Sequence, residues 1–278
     1  MTLNDPAPLP TIPVGEGGAE VRVPAVLLTE PPRTRFDLTF TVARIPVRVH
    51  PLFWLVAALL GYSAGDAVFM LIWVGVVFVS ILVHEFGHAL AMRIYGETPR
   101  VVLHALGGLT IAEPTAWGRT WANVSPGSRQ QILISAAGPG AGFLLAGLTV
   151  VVMVVAGVTL GVSSAFGAIQ LPGSLLESSG LRYLSALITS VLWVNVGWGV
   201  INLLPVYPLD GGNISRQLFL LADPLGGVRK SLWLSVGAGA AAAVFGLLVM
   251  NSVYIGMLFG MLAFSSYGLL RSAGIGRL

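Results

Sequence analysis

Between Val68 and Tyr95 the chain is apolar almost throughout, yet His84, Glu85 and His88 sit inside that run. The run is longer than the roughly 20 residues an α-helix needs to cross the hydrocarbon core of a bilayer. An ionisable side chain at the centre of such a helix costs about 2.5–3.5 kcal/mol on insertion scales, so a cluster of three there points to function. On a helix, His84 and His88 fall one turn apart on the same face, with a carboxylate beside them. This His-Glu-x-x-His spacing is that of a zinc site whose Glu acts as general base. A fold for this chain must therefore cross a membrane and still shelter a polar centre.

The rest of the composition agrees. Hydrophobic residues make up 55% of the 278 residues and charged ones 10%, far below the roughly 25% of a soluble domain. Mean hydropathy is +0.84. Cysteine is absent, which excludes a disulfide framework and thiolate ligands, so a metal must be held by His and carboxylate. The basic pI of about 9.6 does not signal nucleic acid, because Lys and Arg flank apolar runs and form no basic stripe.

Residues 1–43 read as a flexible cytoplasmic tail rich in proline, without the basic start and apolar core of a signal peptide. Residues 44–278 read as one membrane-embedded domain. The alternation from Phe36 to Val49 predicts a strand leading to the membrane edge. Spans follow at about Leu52–Gly61, Ala67–Tyr95, Gln130–Leu160, Leu181–Leu204, Ser231–Met250 and Val253–Leu270. Between the second and third, residues Val101–Ile111 alternate around Gly107-Gly108, as in a hairpin. The expected fold is an all-α polytopic membrane protein of about six transmembrane helices with a small membrane-associated β-hairpin. A cytoplasmic N-terminus places fourteen of the fifteen Lys and Arg on the cytoplasmic side, with Arg182 alone outside, and puts both termini in the cytoplasm.

A catalytic zinc takes three protein ligands and keeps one position open. Candidates for the third are Glu97, Glu113, His104 and Asp210. Asp210 follows Pro205 and Pro208 and precedes Gly211-Gly212, where an irregular backbone could turn it towards the metal. His50, which precedes Pro51, reads as a capping or interfacial residue. Gly138-Pro139-Gly140 reads first as a site of close helix packing.

Taken together, His84-Glu85-Phe86-Gly87-His88 and the stretch from Asn202 through Pro205 and Pro208 to Leu209-Asp210-Gly211-Gly212 resemble the site-2 protease family of intramembrane zinc metalloproteases. Leu106-Gly107-Gly108 and Ala137-Gly138-Pro139 extend the likeness, which covers roughly Ile45 to Arg216. The resemblance implies that His84, His88 and Asp210 hold zinc, that Glu85 activates water, and that Asn202 stabilises the oxyanion. It departs at Gly142, where many members carry an Asn. No inserted PDZ module or appended CBS pair is visible. The implied substrates are transmembrane segments of single-span proteins, cleaved within the lipid bilayer of a bacterial plasma membrane. An unwound substrate could pair with the extended segment at Gly107, Gly108 and Leu109. A gluzincin-type membrane protease with Glu113 as third ligand and a non-proteolytic zinc carrier are the alternatives.

Overall fold

Residues 36–49, whose alternation predicts one strand, form two. In a computed structural model that describes residues 11–14, 19–22, 30–61, 66–112, 127–156, 161–162, 169–170 and 179–272, Leu38–Val42 pairs antiparallel with Ile45–Val49. Ala43 and Arg44 make the two-residue turn at φ 49° and 63°, the left-handed backbone that suits tight hairpins. Neither is Gly or Asn, so the turn carried no compositional signal. Arg93 Nη1 donates to the Ala43 carbonyl at 2.6 Å and ties the turn down.

The chain divides into two compact units. One holds residues 31–203; the other holds residues 1–30 and 204–278. In the second, β1 (Thr11–Val14) pairs antiparallel with β2 (Ala19–Arg22). The hairpin just described supplies β3 (Leu38–Val42) and β4 (Ile45–Val49) of the first unit. There follow α1 (Pro51–Gly61), α2 (Ala67–Ile94), β5 (Pro99–His104) and β6 (Gly107–Ala112). The four strands form one sheet in the order β3-β4-β5-β6, with β4 and β5 parallel and the other pairs antiparallel. The expected hairpin at 101–111 is thus half of a larger sheet. Its turn is Ala105-Leu106, and Gly107-Gly108 begins the second strand.

The sheet explains α1. Pro51 suits the first helical position, and His50 caps it: its Nδ1 accepts from the Leu52 N–H at 3.2 Å. At 11 residues α1 is about 16 Å long, half the hydrocarbon thickness of a bilayer. It packs back on α2, with Phe53 and Trp54 against Phe78 and Gly61 against Trp73. The chain leaves the sheet from β4, turns, and returns through α2 to β5 beside it. One face of the sheet packs on this excursion: Ile45, Val47, Val49, Val101 and Leu103 bury with Phe53, Ala57, Val77 and Ala89.

The first unit continues with α3 (Ser128–Val155) and a short antiparallel pair, β7 (Gly161–Val162) and β8 (Ile169–Gln170). The next helix is α4 (Ser179–Leu192), which runs through a π turn (Trp193–Gly197) into α5 (Trp198–Asn202). The second unit contains α6 (Asp210–Ala222), α7 (Gly227–Leu248) and α8 (Val253–Ser272). Five helices among the described residues are long and apolar enough to cross a membrane. Their outer faces expose large apolar side chains such as Leu144, Val155 and Phe264, as lipid contact requires. The protein is a polytopic membrane protein with a small β-sheet. Helix α6 was not foreseen, because 13 residues with Asn213, Arg216 and Gln217 among them lack a spanning pattern. The last residues assigned to the third span, 157–160, lie outside the described residues, as does most of 1–29.

Arg48 fixes the start of the sheet. Its Nη1 donates to Asp37 Oδ2 and its Nη2 to the Pro31 carbonyl, both at 2.8 Å. Burial alone would raise the Asp37 pKa, but hydrogen bonds from Thr34 and Arg48 outweigh it and hold it at about 2. Since this lies below the ordinary 3.8, the ionised carboxylate stabilises the fold above about pH 4, and the contribution fades as pH falls towards 2. Asp37→Asn should lower the unfolding midpoint in detergent at pH 7. Thermal scans of both proteins should show the gap closing between about pH 4 and pH 2; a gap independent of pH would mean that charge is not its cause.

Candidate metal centre

Helix geometry brings His84 and His88 to one face of α2, and the structure converges their Nε2 atoms to 3.1 Å. Ring centroids are 4.9 Å apart at 78°. Two imidazoles on one tetrahedral zinc, at bonds of about 2.05 Å, have nitrogens roughly 3.3 Å apart, so the pair is spaced for a shared ion. The tautomer of His88 also fits. Its Nδ1 lies 2.7 Å from the Ile134 carbonyl of α3, and a carbonyl can only accept. The proton of neutral His88 is therefore on Nδ1, which leaves Nε2 with a lone pair directed towards His84. Ligand atoms of His84, Glu85 and His88 all lie within 4.8 Å of one another. Nitrogen and carboxylate donors without thiolate suit zinc.

Small residues make this arrangement possible. A Cβ at Gly138 of α3 would overlap both imidazoles, so the glycine leaves the space they occupy. A Cβ at Gly87 would strike the Ala137 carbonyl, which sets how closely α2 approaches α3. The Gly138-Pro139-Gly140 segment was read as helix packing. It is that, but Gly138 also leaves the space in which the two imidazoles converge. By contrast, a Cβ at Gly140 would meet nothing within 4 Å.

Glu85 is buried, 5% exposed, and faces the sheet. Thr110 Oγ1 of β6 donates to its Oε2 at 2.7 Å and lies 3.1 Å from its backbone carbonyl. Gly108, two residues earlier on the same strand face, has no Cβ to collide with the carboxyl group. Gly107 opens β6 opposite His104 at φ 125°, a backbone reserved for glycine, and Leu109 is paired with Val102. One turn from His84, Ser80 accepts from Asn195 Nδ2 at 2.8 Å. Asn195 lies in the π turn and is buried; the same amide donates to the Val191 carbonyl. Its Oδ1 comes within 3.4 Å of where a Cβ at Gly142 would be. The position noted for lacking an Asn therefore faces one from another helix.

Asn202 is the last residue of α5. Asp210 belongs to the second unit, as the first residue of α6. Gly211 and Gly212 are helical there, and Gly212 lets the first turn press on the backbone of Val206 and Tyr207. The preceding loop is held from three sides. Ser235 of α7 accepts from the Tyr207 N–H at 2.7 Å, Ser235 and Ser266 of α8 bond at 2.8 Å, and Asn213 Nδ2 donates to the Pro208 carbonyl at 3.2 Å. Of the other third-ligand candidates, Glu97 lies after α2 and His104 ends β5. Burial lowers the His104 pKa, helped by His50 and Arg48. Glu113 lies outside the described residues. Thr110 and the Ile134 carbonyl escaped the sequence reading altogether. Ser80 and Asn195 could have been found as polar residues in apolar runs.

Comparison with known proteins matches residues 72–244 to the model of peptidase family M50. A zinc metalloprotease of Methanocaldococcus jannaschii is 27% identical over 223 residues, 78% of this chain and 55% of that protein. The chain thus spans about half the length of this curated relative. A solved site-2 protease from Methanocaldococcus jannaschii aligns over 87% of this chain and 96% of its own, at 20% identity and a TM-score of 0.48.

The two glycines of α3 offer a matched test of the imidazole pocket. Gly138→Ala should reduce the zinc retained after purification by about tenfold or more, as loss of ligand support does, while Gly140→Ala should leave it unchanged. Elemental analysis of the two variants decides; equal zinc in both would show that the imidazoles do not need the space at Gly138.

Proposed function

Because this chain belongs to peptidase family M50, we propose that it is a zinc-dependent intramembrane endopeptidase that cleaves transmembrane segments of single-span membrane proteins. One observation carries the reading: two imidazoles with converging nitrogens, and a buried carboxylate beside them, on a helix long and apolar enough to span a bilayer. His84, His88 and Asp210 would hold the zinc. Bound there, the metal supplies Lewis acidity, worth several kcal/mol at a polarised carbonyl.

The remaining chemistry belongs to side chains. Glu85 takes the proton from the attacking water and returns it to the nitrogen of the leaving amine. The amide of Asn202 donates to the oxygen on which negative charge develops. A helical substrate hides its carbonyls in its own hydrogen bonds, so it must unwind near the site. Strand β6 is an edge of its sheet, and Gly107, Gly108 and Leu109 lie on it next to the Glu85 helix. An unwound segment pairing with that edge would be delivered to the carboxylate. His84 lies about 25 Å along α2 from Ala67, and the positive-inside rule supports chemistry in the cytoplasmic half of the plasma membrane.

Two substitutions test the assignment. Glu85→Gln keeps shape but cannot act as base, so zinc should stay while turnover of a reconstituted transmembrane substrate falls roughly 10²-fold or more. Asp210→Ala should lose zinc and cleavage together. Full cleavage by Glu85→Gln, or stoichiometric zinc in Asp210→Ala, would overturn the corresponding role.

A further inference from the structure

Thr110 makes a hydrogen bond that sheet packing alone does not demand. A threonine on a strand beside an apolar helix could face the helix with its methyl group. Instead its hydroxyl reaches Glu85 Oε2 at 2.7 Å, with the Glu85 backbone carbonyl at 3.1 Å. Residues two apart on a strand share a face, so Gly108 and Thr110 both address α2. Gly108 leaves room for Oε1, and Thr110 holds Oε2. The result is a seat for one carboxylate, cut into β6 by an absent side chain and a hydroxyl.

We propose that Thr110 is a positioning residue for Glu85: its hydroxyl fixes the carboxylate orientation in which Glu85 exchanges protons with the reacting groups. This rests on the reading of Glu85 as general base. A glutamate has three rotatable bonds, and the Thr110 hydroxyl holds the end of this one by a hydrogen bond to Oε2. A hydrogen bond to an ionised oxygen is about twice as strong as a neutral one, and β-branched Thr110 is itself stiff at χ1. Pinned in this way, the carboxylate need not search for its reactive rotamer in each turnover. An ångström of misplacement at a reacting group can cost on the order of 10²-fold in rate, so the seat acts on turnover, not on substrate affinity.

The experiment compares Thr110→Val, which keeps the shape and removes the hydroxyl, with Thr110→Ser, which restores it. Each is measured for zinc content, unfolding midpoint, kcat and KM on a transmembrane substrate, alone and combined with Glu85→Gln. Thr110→Val should keep zinc and KM while kcat falls about 10- to 100-fold. Thr110→Ser should recover most of that loss. In the Glu85→Gln background the valine should add no further loss, because a residue acting through Glu85 has nothing left to position. The proposal is overturned if kcat per zinc-loaded Thr110→Val enzyme equals that of the wild type, if serine fails to rescue, or if the losses multiply with Glu85→Gln. Normal cleavage by Glu85→Gln alone would remove the general base and the seat together. An inactive Glu85→Gln with a fully active Thr110→Val would remove only the seat.

Discussion

Polar groups in an apolar helix must find partners that lipid cannot give, and the larger unit is arranged around that demand. His84, Glu85 and His88 would each be costly on an isolated span. Helix α3 answers for His88 with the Ile134 carbonyl, and β6 answers for Glu85 with Thr110. The imidazoles face each other. Each answer needs close approach, and each approach coincides with a glycine: Gly87 and Gly138 between the helices, Gly108 on the strand. Polarity dictates the contacts, and the missing side chains make them sterically possible.

A sheet beside the middle of a long helix raises the same question for the backbone, since open strand edges are not tolerated against lipid. Here β5 is the inner strand nearest the site, with Val101, Val102 and Leu103 all buried, and β4 and β6 cover its two sides. The parallel β4–β5 pairing needs a long crossover, and α1 with α2 supplies it. That is why a helix of 11 residues suffices for α1: it has only to carry the chain far enough to turn back onto α2. Strand β6 ends the strand order, and it is the edge that the proposed pairing with an unwound substrate would complete.

Much of this was legible from the residues. The long spans, the convergence of the two imidazoles on one face of α2 and the capping role of His50 all follow from period and spacing, which local sequence records directly. What was lost depends on contacts between distant segments. Ala43-Arg44 forms a turn without turn residues because Arg93, fifty positions away, holds its carbonyl. Thr110 is an ordinary strand residue until α2 is laid against it. Gly107-Gly108 looked like the bend of the hairpin, whereas Ala105-Leu106 bends and Gly108 serves the carboxyl group of Glu85. Helix α6 is short and mixed, and its period of polarity was too brief to separate from loop. Glycines announce that something comes close, but not what.

The π turn at Trp193–Gly197 changes what seven residues mean. In an unbroken α-helix, Asn195 and Asn202 would point in nearly the same direction, because seven residues make close to two full turns. A π turn takes up one extra residue, so the angular phase of everything beyond it slips by something on the order of 100°. Asn195 can then be committed to Ser80 while Asn202 looks out from a different side of the same rod. The width of this turn is consequently not free to drift. Drawing the wide turn into regular α geometry with every residue kept would swing Asn202 round towards the direction Asn195 already occupies, whereas deleting one residue there would leave the phase of Asn202 as it is.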